Sequence, residues 1–178
     1  MNIEQTAVVL IDVQGKLATI MNDSEHTVNN IEKLVKGAKV LDLPVLWLEQ
    51  YPKGLGPTVP SIAAELGEQK PIEKVTFSAW KTDEFKNALI ALNRKNILIC
   101  GIEAHICVYQ TAKDLNNAGF NVEVVTDAID SRNEANKQLA IQRLMQDRIA
   151  LTSVETALFE LVEVASGDRF KQISKIVK

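Results

Sequence analysis

Short apolar runs alternate along this chain with stretches in which apolar residues recur every three or four positions. Residues 6–12 form a continuous apolar run that ends in the carboxylate of Asp12. Residues 27–41 carry Val28, Ile31, Leu34, Val35 and Ala38, the spacing of an amphipathic helix. Further strands are predicted at 44–48, 75–77, 96–101, 122–126 and 149–152. Helices are predicted at 83–93, 106–118, 133–147 and 154–165, with Gly119 as a C-cap.

Strands without polar alternation are buried on both faces, as in a parallel sheet covered by helices. The expected fold is therefore α/β and three-layered (αβα): one parallel six-stranded sheet with helices on both faces, in a single domain over residues 1–178. Ligands of such sheets bind beyond the carboxyl ends of the strands. Periodicity leaves the strand order open. If strands one and four are neighbours, Asp12 and Cys107 face one crevice.

Residues 50–71 hold four of the five prolines and three of the eight glycines. They predict a long loop with a short helical turn at 61–66, and long loops in compact domains are often functional. The basic, amphipathic tail from Ser166 to Lys178 predicts a closing helix or an oligomer contact.

With 178 residues the chain can bury a proper core, and its formal charge of -3 offers no footprint for nucleic acid. No apolar run is long enough to span a membrane. Met1 leads directly into a strand-like segment without a secretory pattern. The two cysteines, Cys100 and Cys107, fall in a strand and in the following helix, which makes no disulfide framework. A reduced, cytoplasmic setting is expected.

Cys107 follows an apolar strand and sits where a helix begins. Free backbone N–H groups and the helix dipole favour a thiolate there, so it is a candidate nucleophile; the competing reading is core filling. Cys100, inside the strand, reads as an inert core thiol. A nucleophile needs a base, an electrostatic partner and an oxyanion site. Asp12 can be the base or the cap of a turn. Lys74, in Glu73-Lys74-Val75-Thr76-Phe77-Ser78, reads from its spacing as an ordinary solvated strand-edge lysine. Gln14, Tyr51, Phe77 and Trp80 are pocket candidates. Gln14 would share a face with Asp12 if the strand continued, and packing is the competing role for Gln14, Phe77 and Trp80. Neither His26 nor His105 belongs to a set with metal-ligand spacing, and no phosphate-binding glycine motif occurs. No metal and no cofactor are expected.

Three segments carry a resemblance: Leu10-Ile11-Asp12-Val13-Gln14, Lys74-Val75-Thr76-Phe77-Ser78-Ala79-Trp80, and Gly101-Ile102-Glu103-Ala104-His105-Ile106-Cys107-Val108. In this order, over nearly the full chain, they resemble the isochorismatase-like cysteine hydrolase superfamily. The segment Glu49-Gln50-Tyr51-Pro52-Lys53-Gly54-Leu55-Gly56 is similar to the isochorismatase domain-containing subgroup, some members of which carry a ribonuclease label. The resemblance implies a catalytic triad on Asp12, Lys74 and Cys107. It also implies a cis peptide between Ile102 and Glu103, and an oxyanion hole made by the Glu103 and Cys107 amides.

Two departures bear on the reaction. The metal-binding aspartate and histidines that nicotinamidases of the superfamily carry after the second strand have no counterpart in the segment 49–56. Isochorismatase proper need not use a cysteine, so Cys107 points to the thiol branch. Leu17 also stands where relatives often have phenylalanine, a change in the pocket floor. The expected function is metal-independent hydrolysis of a small amide or related carbonyl compound through a Cys107 thioester. A catalytically silent interaction protein on the same fold is the alternative. Ribonuclease is a weaker one, since the composition is acidic. The expected partners are a small-molecule substrate and other copies of the chain (the resemblance implies a dimer or tetramer), with no nucleic acid and no membrane.

Overall fold

Six strands form one sheet in the order β3-β2-β1-β4-β5-β6, and every neighbouring pair is parallel. The computed structural model describes residues 1–178. Along the chain run Thr6–Ile11 (β1), Gly15–Thr19 (α1), Ser24–Val40 (α2), Val45–Gln50 (β2), Pro52–Leu55 (α3) and Pro60–Leu66 (α4). Ile72–Lys74 (β3), Asp83–Ala91 (α5), Asn96–Ile102 (β4), Tyr109–Asn117 (α6) and Asn121–Asp130 (β5) follow. Glu134–Gln146 (α7), Ala150–Thr152 (β6), Val154–Val162 (α8) and Gly167–Val177 (α9) complete the chain. A short 3-10 turn spans Ala79–Lys81, and a π-helix spans Ala104–Val108 between β4 and α6.

Alternation within β1 divides the interior into two cores. Val8 and Leu10 pack with Ile31, Leu34 and Val35 of α2 and Leu158 of α8. Ala7, Val9 and Ile11 pack with Phe85 of α5, Leu115 of α6 and Leu144 of α7. Because β1 is buried on both faces, its sequence shows no polar alternation. Each large side chain buried in this way contributes about 1.5–3 kcal/mol. Asn133 and Ser153 cap α7 and α8, accepting hydrogen bonds from the N–H groups of Ala135 and Thr156.

The sheet grows from β1 outward through β2 to β3, then returns to β4 on the other side of β1. The switch point lies where β1 and β4 end side by side, with Ile11 opposite Gly101. Gly101 has φ +120°, and a Cβ there would lie 2.0 Å from the Ile11 carbonyl oxygen. Only glycine permits this approach of the two strand ends.

The predicted architecture matches, with local corrections. The third strand is Ile72–Lys74 rather than 75–77. The chain turns out of the sheet after Lys74, because the Thr76 and Phe77 carbonyls accept hydrogen bonds from Lys74 Nζ, leaving Val75 and Phe77 exposed. The fifth strand runs on to Asp130, whose carboxylate is held by the Asp23 and Ser131 N–H groups. The proline-rich region 50–71 contains two short helices and is pinned to the segment after β1 by Val59 N–H to the Val13 carbonyl and Gly15 N–H to the Pro57 carbonyl. The tail forms α9 and closes the α2/α8 core with Ile173. No helix is long and apolar enough to cross a membrane.

Candidate active site

Asp12 follows β1 with φ +55°, a left-handed conformation that aspartate tolerates better than most residues. Its carboxylate is buried, and Oδ2 accepts a 2.6 Å hydrogen bond from Lys74 Nζ. Lys74 ends β3, two strands away, and its side chain crosses above the end of β2 to reach this carboxylate. On the way the ammonium also donates to Gln50 Oε1 at 2.6 Å and to the carbonyls of Thr76 and Phe77. A lysine with its side chain wholly out of solvent is tolerated because acceptors surround the charge. The solvated strand-edge reading of Lys74 is thereby replaced.

Cys107 lies in the π-helix that follows β4, and the Glu103 carbonyl accepts from the Ile106 and Val108 N–H groups at its start. The Ile102–Glu103 peptide is cis. The Glu103 carboxylate accepts from the Arg132 N–H at 3.0 Å and from Arg132 Nε at 3.2 Å, which ties the turn after β4 to the end of β5. Asp12, Cys107 and Glu103 line one chamber of about 110 Å³, together with Gln50 and the apolar side chains of Leu17, Leu55, Phe77, Ile102 and Ile106.

Burial raises the proton affinity of both acidic groups. The Cys107 thiol is pushed up to about 12 by burial and by the neighbouring Asp12 charge, against an opposing effect of Lys74. Asp12 is raised above the ordinary carboxylate value by burial, again opposed by Lys74. The expected standing thiolate is therefore corrected to a resting thiol. Loss of solvation outweighs the cation, and Cys107 lies in the last turn of a π-helix rather than the first turn of an α-helix. Asp12 Oδ1 is buried without a hydrogen-bond partner.

The other predicted residues divide. Phe77 lines the chamber, as does Leu17. Tyr51 lines a neighbouring open cleft of about 490 Å³ with Lys53, Thr76 and Lys81. Gln14 is not a pocket residue: its amide donates to the Gln50 and Gly56 carbonyls and accepts from the Gln50 N–H. The shared-face argument fails because β1 stops at Ile11 and Asp12 turns left-handed. Trp80 is not one either, since its ring packs edge-on against Phe120 at 5.6 Å beneath Lys86. Gln50, Leu55, Ile106 and Arg132 escaped the sequence reading. Gln50 alone had a usable signal, a polar side chain just past the apolar run of the second strand. Neither histidine enters the chamber, and no three His, Cys, Asp or Glu side chains meet as a metal-binding group.

A parallel sheet whose switch point gathers a carboxylate, an ammonium and a thiol is the arrangement of an isochorismatase-like α/β protein, and the comparisons with known proteins agree. The isochorismatase domain model matches residues 6–156, and the chain belongs to this family. Isochorismatase domain-containing protein 2 of Danio rerio is 35% identical over 173 residues, spanning 97% of this chain and 86% of that protein. Among solved structures, the MAR1 ribonuclease of Caenorhabditis elegans is 34% identical with a TM-score of 0.93, over 99% of this chain and 91% of that one. The YcaC gene product of Escherichia coli, described as an octameric hydrolase of unknown specificity, is 27% identical with a TM-score of 0.93, over 99% and 88%.

Proposed function

We propose that this protein is a metal-independent cysteine hydrolase of small amides, with Cys107 as nucleophile, Asp12 as proton shuttle and Lys74 as the cation that holds Asp12. The observation that carries this reading is the buried 2.6 Å Lys74–Asp12 pair, with Asp12 and Cys107 lining one small chamber.

Cys107 Sγ attacks the carbonyl carbon while its proton passes to Asp12 Oδ1, so no standing thiolate is needed. The carbonyl π pair moves to oxygen, and the Glu103 and Cys107 N–H groups serve as the oxyanion hole. Asp12 returns the proton to nitrogen as the C–N bond breaks, ammonia leaves, and a thioester remains on Cys107. Water then attacks the thioester and gives a proton to Asp12. The C–S bond breaks with that proton returning to sulfur, and the acid is released. Raised proton affinities at both groups suit a shuttle that carries the proton only transiently.

An ammonia-release screen over small amides tests this, comparing wild type with Cys107→Ala. Hydrolysis by wild type, loss in the variant and an acyl adduct on Cys107 by mass spectrometry are expected. Equal ammonia release by the variant would overturn the thiol mechanism. The name of the Caenorhabditis elegans relative raises ribonuclease as a second reading, but the net charge of -3 disfavours a polyanion. RNA cleavage that survives Cys107→Ala would favour it. A catalytically silent interaction protein is the third reading, favoured by partner binding that survives Cys107→Ala and Asp12→Ala with no amide turned over. As in the octameric Escherichia coli relative, we propose that the chain self-associates, which sedimentation would measure.

A further inference from the structure

We infer that the preferred substrate is a short, uncharged, aliphatic primary amide, and that Leu17, Leu55 and Ile106 set this choice. The inference rests on the hydrolase reading above and concerns what the chamber admits.

Volume sets the first limit. The chamber measures about 110 Å³. An enclosed apolar protein cavity of about 150 Å³ holds benzene; this chamber is smaller and open on one side, so its walls surround an acyl group of roughly two to four carbons more completely than an aromatic ring. Its walls, from Leu17, Leu55, Phe77, Ile102 and Ile106, present hydrocarbon to that group.

Charge sets the second limit, because the polar side chains around the chamber are already engaged. The Lys74 ammonium donates to Asp12, Gln50, Thr76 and Phe77. Gln50 Nε2 donates to the Val75 carbonyl at 3.1 Å. The Glu103 carboxylate is taken by Arg132. A carboxylate on the acyl chain would meet two buried carboxylates and no cation among the lining residues, with only the second N–H of Gln50 Nε2 and the Cys107 thiol as side-chain donors, and would lose most of its hydration without replacement. Asp12, the proton shuttle of the reaction proposed above, must hand its proton to the leaving nitrogen, so that nitrogen has to lie against the chamber wall Asp12 forms. A primary amide places only hydrogens there, whereas the two methyl groups of an N,N-dimethylamide would have to share about 110 Å³ with the acyl chain.

The test is kcat/KM for propionamide, butyramide, benzamide, N,N-dimethylbutyramide and the anionic succinamate with the full chain, each repeated with Cys107→Ala. Butyramide or propionamide should lead, ahead of benzamide by about tenfold and of succinamate by about a hundredfold, with no turnover of the dimethyl compound. Leu55→Ala should raise the benzamide-to-butyramide ratio by about tenfold, and Leu17→Phe should move the optimum to propionamide. Faster, Cys107-dependent hydrolysis of benzamide or succinamate overturns the assignment while leaving the thiol chemistry standing. If no amide is turned over, binding to Cys107→Ala decides by thermal shift. Stabilisation by butyramide and not by succinamate upholds the chamber's preference and removes the reaction; any other pattern removes both.

Discussion

Gln50, at the end of β2, holds Lys74, at the end of β3, through a 2.6 Å hydrogen bond from Nζ to Oε1. The bond is as short as the one from Lys74 to Asp12, so a single ammonium links the ends of three adjacent strands. Gln50 is itself fixed by Gln14 through its backbone N–H and carbonyl. Gln50→Leu should therefore misplace Lys74 rather than remove it. With the best amide substrate, kcat should fall by about 10- to 100-fold with little change in KM, and steady-state kinetics will separate the two. The fold should lose only about 1–2 kcal/mol in urea.

Breaking the buried ion pair should cost more than removing it. Lys74→Met leaves Asp12 uncompensated, and a loss of about 3–5 kcal/mol is expected on chemical denaturation. Asp12→Asn/Lys74→Met removes both charges and should recover part of that loss. A double variant as unstable as the sum of the two single ones would contradict the pairing.

The raised thiol has a defined effect on stability. Folding holds Cys107 protonated up to about pH 12, whereas an ordinary cysteine ionises near 9.0. Between those values the native state binds more protons than the unfolded one, so this contribution is fully present below pH 9.0 and is lost as pH rises toward 12. Cys107→Ala should lose stability less steeply across this window in urea titrations. At neutral pH iodoacetamide should alkylate native Cys107 no faster than a model thiol, as intact mass will report.

In the proposed reaction Asp12 must be ionised to accept the thiol proton, and its pKa is raised by burial. The acid limb of kcat/KM should accordingly lie above 3.8, the ordinary value for an aspartate. A pH–rate profile with the limb at or below that value would remove Asp12 as the base.

Gly101→Ala tests the closeness of β1 and β4. The added methyl would meet the Ile11 carbonyl at 2.0 Å in a backbone conformation unfavourable to alanine. A loss of more than about 3 kcal/mol, or failure to fold, is expected by circular dichroism and denaturation. Gly67→Ala, at φ +62° but with nothing within 4 Å of the added carbon, should cost distinctly less.

Residue order alone determined the layered architecture, because burial of a strand on both faces, or of one stripe of a helix, leaves a local period in the sequence. It also placed Asp12 and Cys107 at the ends of apolar runs, where such sheets bind ligands. The identity of the first carboxylate's partner carries no such period. Lys74 lies 62 residues from Asp12, and a lysine at a strand edge has the same local pattern whether solvated or buried. Strand order decided that contact by setting β3, β2 and β1 side by side. Tertiary packing likewise turned Gln14 toward the loop, set Trp80 against Phe120, and brought Leu55 and Ile106 around Cys107. It also decided the charge state of the thiol. Position suggested a helix-stabilised anion, but solvation depends on everything packed around the sulfur, and burial there outweighs the lysine beside it.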